Sequence, residues 1–79
     1  YYVYIIKSIT KTDNYYVGYT NNLSLRLKQH NNGSSTHTGT FGLWDLVFYA
    51  VFPNKMKAID FEKYLKSHSG RTFMHKRLC

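Results

Sequence analysis

The stretch that decides the fold is YVYIIKSITKTDNYYVGY, residues 2–19. Its first seven residues, YVYIIKS, are β-branched and aromatic and read as a buried strand. Residues 9–14 (ITKTDN) carry the polar chemistry of a turn. Residues 15–19 (YYVGY) read as a second strand, running back antiparallel to the first. Alternation puts Tyr2 and Tyr4 on one face of the first strand, and Tyr16 and Gly18 on one face of the second. A glycine inside a strand points to a bulge, or to close approach by backbone or ligand.

Working outward, Asn21 or Asn22 caps a helix whose body is LSLRLKQHNN, residues 23–32. Gly33 stands where a left-handed C-terminal cap belongs. Residues 33–42 (GSSTHTGTFG) read as a flexible loop and residues 45–52 (DLVFYAVF) as a third strand. Pro53 and Asn54 open a second helix, KMKAIDFEKYLKSH. Residues 71–78 (RTFMHKRL) make a short basic last helix. The order is β-β-α-β-α-α, with no internal repeat and no linker. Three strands cannot cover themselves, so the helices pack on the sheet. The expectation is one α+β domain over residues 1–79, a three-stranded antiparallel sheet flanked by helices.

Composition narrows the function. The chain has 79 residues, 11 Lys and Arg against 4 Asp and Glu, and a net charge of +7. A chain this short buries roughly 60–65% of its unfolded surface, so its core is thin. The charge lies at the two ends: +3 over residues 1–30, −1 over 31–52 and +5 over 53–79. Such an excess calls for a polyanionic partner, nucleic acid first and an anionic membrane surface second. No apolar run approaches the roughly 18–20 residues that span a bilayer. The lone cysteine, Cys79, cannot form an internal disulfide, and a reducing, cytoplasmic setting is expected. Among the acids there is a single glutamate, Glu62. That shortage argues against a paired-carboxylate glycosidase and an EF-hand calcium loop. His30, His37, His68 and His75 lack zinc-ligand spacing, and no G-x-S-x-G elbow is present.

Some polar residues sit where packing alone would not put them. Leu23 and Leu27 mark the buried stripe of the first helix, with Arg26 and His30, four apart, beside it. That pair can bind a phosphate. Equally, Arg26 can pack its stem while His30 caps the helix end. In the second helix, Ala58, Glu62 and Leu65 fall on one face, so a carboxylate points along the apolar stripe. Such a group needs a pairing cation, from Lys66, Lys63 or Arg26, or a divalent metal. Six of the eight tyrosines lie within residues 1–19. Phe would fill a core without needing hydroxyl partners, so Tyr implies a face that is part wall and part wet pocket.

This ordered set resembles the GIY-YIG nuclease superfamily. Tyr2-Val3-Tyr4 corresponds to its G-I-Y motif, with Tyr in place of Gly, and Tyr16-Val17-Gly18 to Y-I-G. Arg26 stands ten residues after Tyr16, His30 four further on, and Glu62 on a later helix. The likeness covers nearly the whole chain. It is closest to the small one-domain bacterial YhbQ-like group, itself similar to the N-terminal nuclease domain of the excinuclease. One departure is that no Asn follows about a dozen residues after the glutamate, where Met74 stands.

The resemblance implies a metal-dependent endonuclease that hydrolyses DNA phosphodiester bonds, of DNA repair or recombination type and selective for structure over sequence. It implies catalytic roles for Tyr4, Tyr16, Arg26, His30 and Glu62, with Glu62 holding one Mg2+ or Mn2+ ion. Either tyrosine can serve as the base. Lys63, Lys66, Arg71, Lys76 and Arg77 are expected to contact the DNA backbone. The competing expectation is a nucleic-acid-binding module that keeps the fold without useful turnover. A membrane-surface domain would need an isolated amphipathic helix, and none is seen.

Overall fold

The computed structural model describes residues 1–10, 14–32 and 43–78. The expected turn at 11–13, the Gly33 cap, the 33–42 loop and Cys79 lie outside the described residues. Three strands form: β1 (Tyr2–Ser8), β2 (Tyr15–Thr20) and β3 (Trp44–Val51). Three helices accompany them: α1 (Leu23–Asn31), α2 (Lys55–Lys66) and α3 (His68–Arg77). The order is β-β-α-β-α-α, and the sheet is antiparallel with strand order β2-β1-β3.

The central place of β1 explains its unbroken apolar run. A strand covered on both faces needs no polar alternation. Val3, Tyr4, Ile5, Ile6 and Ser8 are all buried. Val3 and Ile5 turn to one face, where Val17, Ala58 and Leu65 of α2, and Met74 of α3 close a purely apolar core. Tyr4 and Ile6 turn to the other, where they pack with Trp44 against Tyr16 and with Leu23 and Leu27 of α1. The β1–β2 ladder is regular from Tyr2 opposite Thr20 to Lys7 opposite Tyr15. The register irregularity lies on the other side of β1, between Ile5 and Ile6 against β3.

Each helix starts on a side-chain cap that satisfies an orphan backbone donor. Asn22 Oδ1 accepts from the Leu25 amide at 3.1 Å, and Asn54 Oδ1 from Lys57 at 2.9 Å. The expected boundary of the last two helices shifts. Instead of running to residue 68, α2 ends at Lys66, and α3 begins at His68 instead of 71. Ser67 is the reason. Its backbone is extended, and its Oγ accepts from the Gly70 amide at 3.1 Å, so it ends one helix and caps the next. Gly70 lets the two helices meet: a Cβ there would overlap the Tyr64 carbonyl oxygen. β3 starts one residue earlier than expected, because Trp44 pairs with Ser8 of β1, and Asn31 Oδ1 accepts from its amide at 2.6 Å.

Candidate active site

The hairpin register brings the two tyrosine motifs together. Tyr4 stands opposite Gly18, and Ile6 opposite Tyr16. The Tyr4 ring lies over Gly18: a Cβ there would sit 2.6 Å from Tyr4 Oη and 2.8 Å from Cζ. The glycine in the strand thus marks close approach by a side chain and not a bulge.

Behind Tyr4 stands His30. Tyr4 Oη and His30 Nε2 are hydrogen-bonded at 2.7 Å in the interior. The Tyr4, Tyr16 and His30 rings form a cluster, with centroids 6.4 Å apart for the tyrosine pair and 5.6 and 5.1 Å from each to the imidazole. Burial, with the nearby Arg26 charge, pushes the imidazole down to about 4. Burial also pushes the Tyr4 hydroxyl up to about 12, because the hydrogen bond and charge of Arg26 only partly offset it while Tyr16 and Glu62 add to it. The bond therefore joins two neutral groups at pH 7. Burial alone would lower the Arg26 guanidinium, but the hydrogen bonds and charges of Tyr4 and Tyr16 raise it.

In front of Tyr4 opens a cavity of about 520 Å3. Tyr4, Tyr16, Gly18, Arg26, Lys55 and Glu62 are among its walls. It sits at the free edge of β2, where α1 on one face of the sheet and α2 on the other both reach its rim. Glu62 shows only 15% of its side chain to solvent and pairs with Lys66 Nζ at 3.6 Å. Of the two readings of Glu62, the pairing cation is seen, in Lys66, and the carboxylate also lines the cavity. Lys66 also approaches the Tyr16 ring, 5.7 Å from its centroid.

The structure thus brings Tyr4, Tyr16, Arg26 and Glu62 to one cavity. It does not bring His30 to the wall. His30 is fully buried and stands behind the wall residues Tyr4 and Tyr16, so a direct phosphate contact is replaced by support from behind. Lys66 and Arg71 border a neighbouring cavity. Lys63, Lys76 and Arg77 are exposed and line neither of these two cavities. Sequence reasoning missed Lys55. It lies seven residues before Glu62, two helical turns on the same face, and that spacing was the available signal.

Among the described residues, no three His, Cys, Asp or Glu side chains cluster as a metal cage. The donor set here is one carboxylate beside Arg26 and Lys55. That fits a hard divalent cation, which takes most of its ligands from water and phosphate.

The chain also resembles known proteins. The chain is 44% identical over 66 residues to the UPF0213 protein CPE1444 of Clostridium perfringens, covering 82% of this chain and 69% of that protein. It is 35% identical over 66 residues to the UPF0213 protein YazA of Bacillus subtilis, covering 82% and 65%. The structure-specific endonuclease subunit SLX1 of Debaryomyces hansenii is 36% identical over 73 residues, 84% of this chain but only 21% of that subunit. No solved structure matches the chain. The GIY-YIG catalytic domain matches residues 1–77, the span that carries both tyrosine motifs, Arg26 and Glu62, and the chain belongs to that family.

Proposed function

We propose that the protein is a metal-dependent DNA endonuclease, selective for DNA structure, with a role of the repair or recombination kind. The observation that carries the reading is the convergence of Tyr4, Tyr16, Arg26 and Glu62 on one cavity at the β2 edge. The endonuclease relative and the family support it.

Phosphodiester hydrolysis needs an oriented water, stabilisation of charge growing on the phosphate, and help for the leaving 3′-oxygen. Arg26 presents a planar donor fork to the non-bridging oxygens. Lys55 adds a second positive charge at the same cavity. Glu62 would hold one Mg2+ or Mn2+ ion, which when bound supplies Lewis-acid polarisation of the phosphate and neutralises the leaving oxygen. The two tyrosines separate in role. Tyr4, buried and pushed up to about 12, stays protonated and holds its hydroxyl in place through His30. Tyr16 is half-buried at the cavity wall, and its hydroxyl would orient the attacking water.

The test is a nicking assay with Mg2+ or Mn2+ on branched, nicked and single-stranded DNA, comparing the wild type with Glu62→Ala. The expected loss is about 100-fold or more, as for other groups that stabilise charge in a transition state. Undiminished cleavage by the variant would overturn the metal role of Glu62. One observation favours the second reading, a binding module without turnover: Met74, at the position of the family's Asn, is buried in the apolar core. That reading predicts salt-sensitive DNA binding with no cleavage by the wild type in either metal.

A further inference from the structure

A second cavity, of about 380 Å3, adjoins the first along the β2 edge. Tyr16 lines both, and Lys66, on the wall of the second, reaches back to Glu62 in the first. The remaining polar walls come from Asn14 just before β2, Tyr15 at its start, and Arg71 and His75 on α3. The hydrolysis derived above uses none of these four.

Their chemistry points one way. Arg71 and His75 are four residues apart, so one face of α3 presents a guanidinium and an imidazole together. The His75 ring meets Tyr15 edge-on, at 5.0 Å and 77°, which gives the cavity an aromatic wall. No carboxylate is among the lining residues; Lys66 is paired with Glu62 of the first cavity, and Arg71 stands on the wall with no acid beside it among those residues. A cation fork beside an aromatic wall is the combination that holds a phosphate while a base lies against a ring. The volume suits one small ligand and is too narrow for a duplex.

We infer that this cavity is a subsite for one unpaired nucleotide of the substrate strand, next to the phosphate that is cut. The inference rests on the nuclease reading of the first cavity and names the substrate class that reading leaves open. DNA with an unpaired nucleotide beside the cleavage point can fill both cavities at once, whereas continuous duplex can fill only the first.

Thymidine 3′,5′-bisphosphate is the probe, titrated into 15N-labelled protein in EDTA so that no cleavage occurs. Expected are amide shifts at Tyr15, Arg71 and His75, and a Kd weakened about tenfold in Arg71→Ala, on the scale of one charged hydrogen bond. Lys57→Ala, which removes one exposed charge that lines neither cavity, should bind the probe within about twofold of wild type. On a nicked or flapped substrate with metal, Arg71→Ala should raise KM about tenfold with kcat little changed. Arg71 is exposed, and equal melting temperatures verify that the variants fold. The subsite is overturned if Arg71→Ala and His75→Ala leave Kd and KM unchanged, or if the shifts gather at Arg26 and Lys55 instead. If the wild type cleaves no substrate in either metal while Arg71→Ala loses the probe, the nuclease assignment falls and the nucleotide site stands.

Discussion

The two faces of β1 do different work. Under α2 and α3, the face of Val3 and Ile5 is sealed by aliphatic, thioether and aromatic side chains, with no buried polar side chain in the cluster. Under α1, the face of Tyr4 and Ile6 holds a phenol, an imidazole and a hydrogen bond between them in the interior. Adjacent residues of one strand are thus split between stability and chemistry, because successive side chains point to opposite faces. A thin core does not have to compromise: one layer is kept dry so that the other can carry polar groups. Buried polar groups are costly unless satisfied, and the Tyr4–His30 bond serves that need on the α1 side.

Breaking the dry layer should have the largest effect. In Gly70→Ala the new methyl overlaps the Tyr64 backbone carbonyl, and backbone cannot move aside as a side-chain tip can. The expected loss is about 3 kcal/mol or more. For a domain of this size that lowers Tm by at least about 12 °C, read by thermal melting. Unchanged melting would mean that α3 does not hold the dry layer in place.

The polar layer should announce itself through acid sensitivity. His30 is neutral in the folded state down to about pH 4, whereas in the unfolded chain it takes a proton near 6.5. Between those values the unfolded state binds more protons. Stability is therefore complete above about pH 6.5 and falls as pH drops towards 4, by on the order of 2–3 kcal/mol. Urea melts of wild type and His30→Gln at pH 7 and 4.5 check this. A slope with pH that survives the substitution would place the sensitivity elsewhere.

Tyr4→Phe separates the layers more finely. It removes one hydrogen bond to a buried imidazole and should cost about 1–2 kcal/mol in stability. Cleavage should fall by more than that stability loss explains, since the fold survives while the support behind the cavity does not. Equal melting and equal cleavage would make Tyr4 a packing residue only. Smallest is Lys63→Ala, exposed and away from both cavities. DNA affinity should drop less than about threefold, with the log-log salt slope reduced by at most about one.

What the sequence made legible was local. Asn22 and Asn54 announce their helices because a cap acts within three residues, and the β-branched run of β1 announces a strand that two layers cover. The boundary at Ser67 went unread although its cap also acts within three residues; what no local signal shows is that Gly70 lets α3 close onto the Tyr64 carbonyl, a contact between two helices. At the site, the ordering of Tyr4, Tyr16, Arg26 and Glu62 was readable, but their convergence depends on a hairpin register that the turn residues do not specify. The depth of His30 was not readable either. Helical spacing shows that Arg26 and His30 share a side, and only the docking of α1 shows that one is buried and the other borders a cavity. The second cavity draws its walls from β2, α2 and α3, so no single stretch could reveal it.

The contact between Tyr4 and Gly18 has an evolutionary consequence. Gly18 is not in the left-handed region, so its backbone would accept a side chain, and it is chiefly the Tyr4 phenol ring above it, with the Tyr16 ring edge 3.0 Å from a Cβ there, that forbids one. The two positions are locked as a pair. A side chain at 18 can be inherited only after Tyr4 has shrunk, and Tyr4, once lost, can return only while 18 is still empty. A lineage that abandons the tyrosine and then fills the gap has closed the way back.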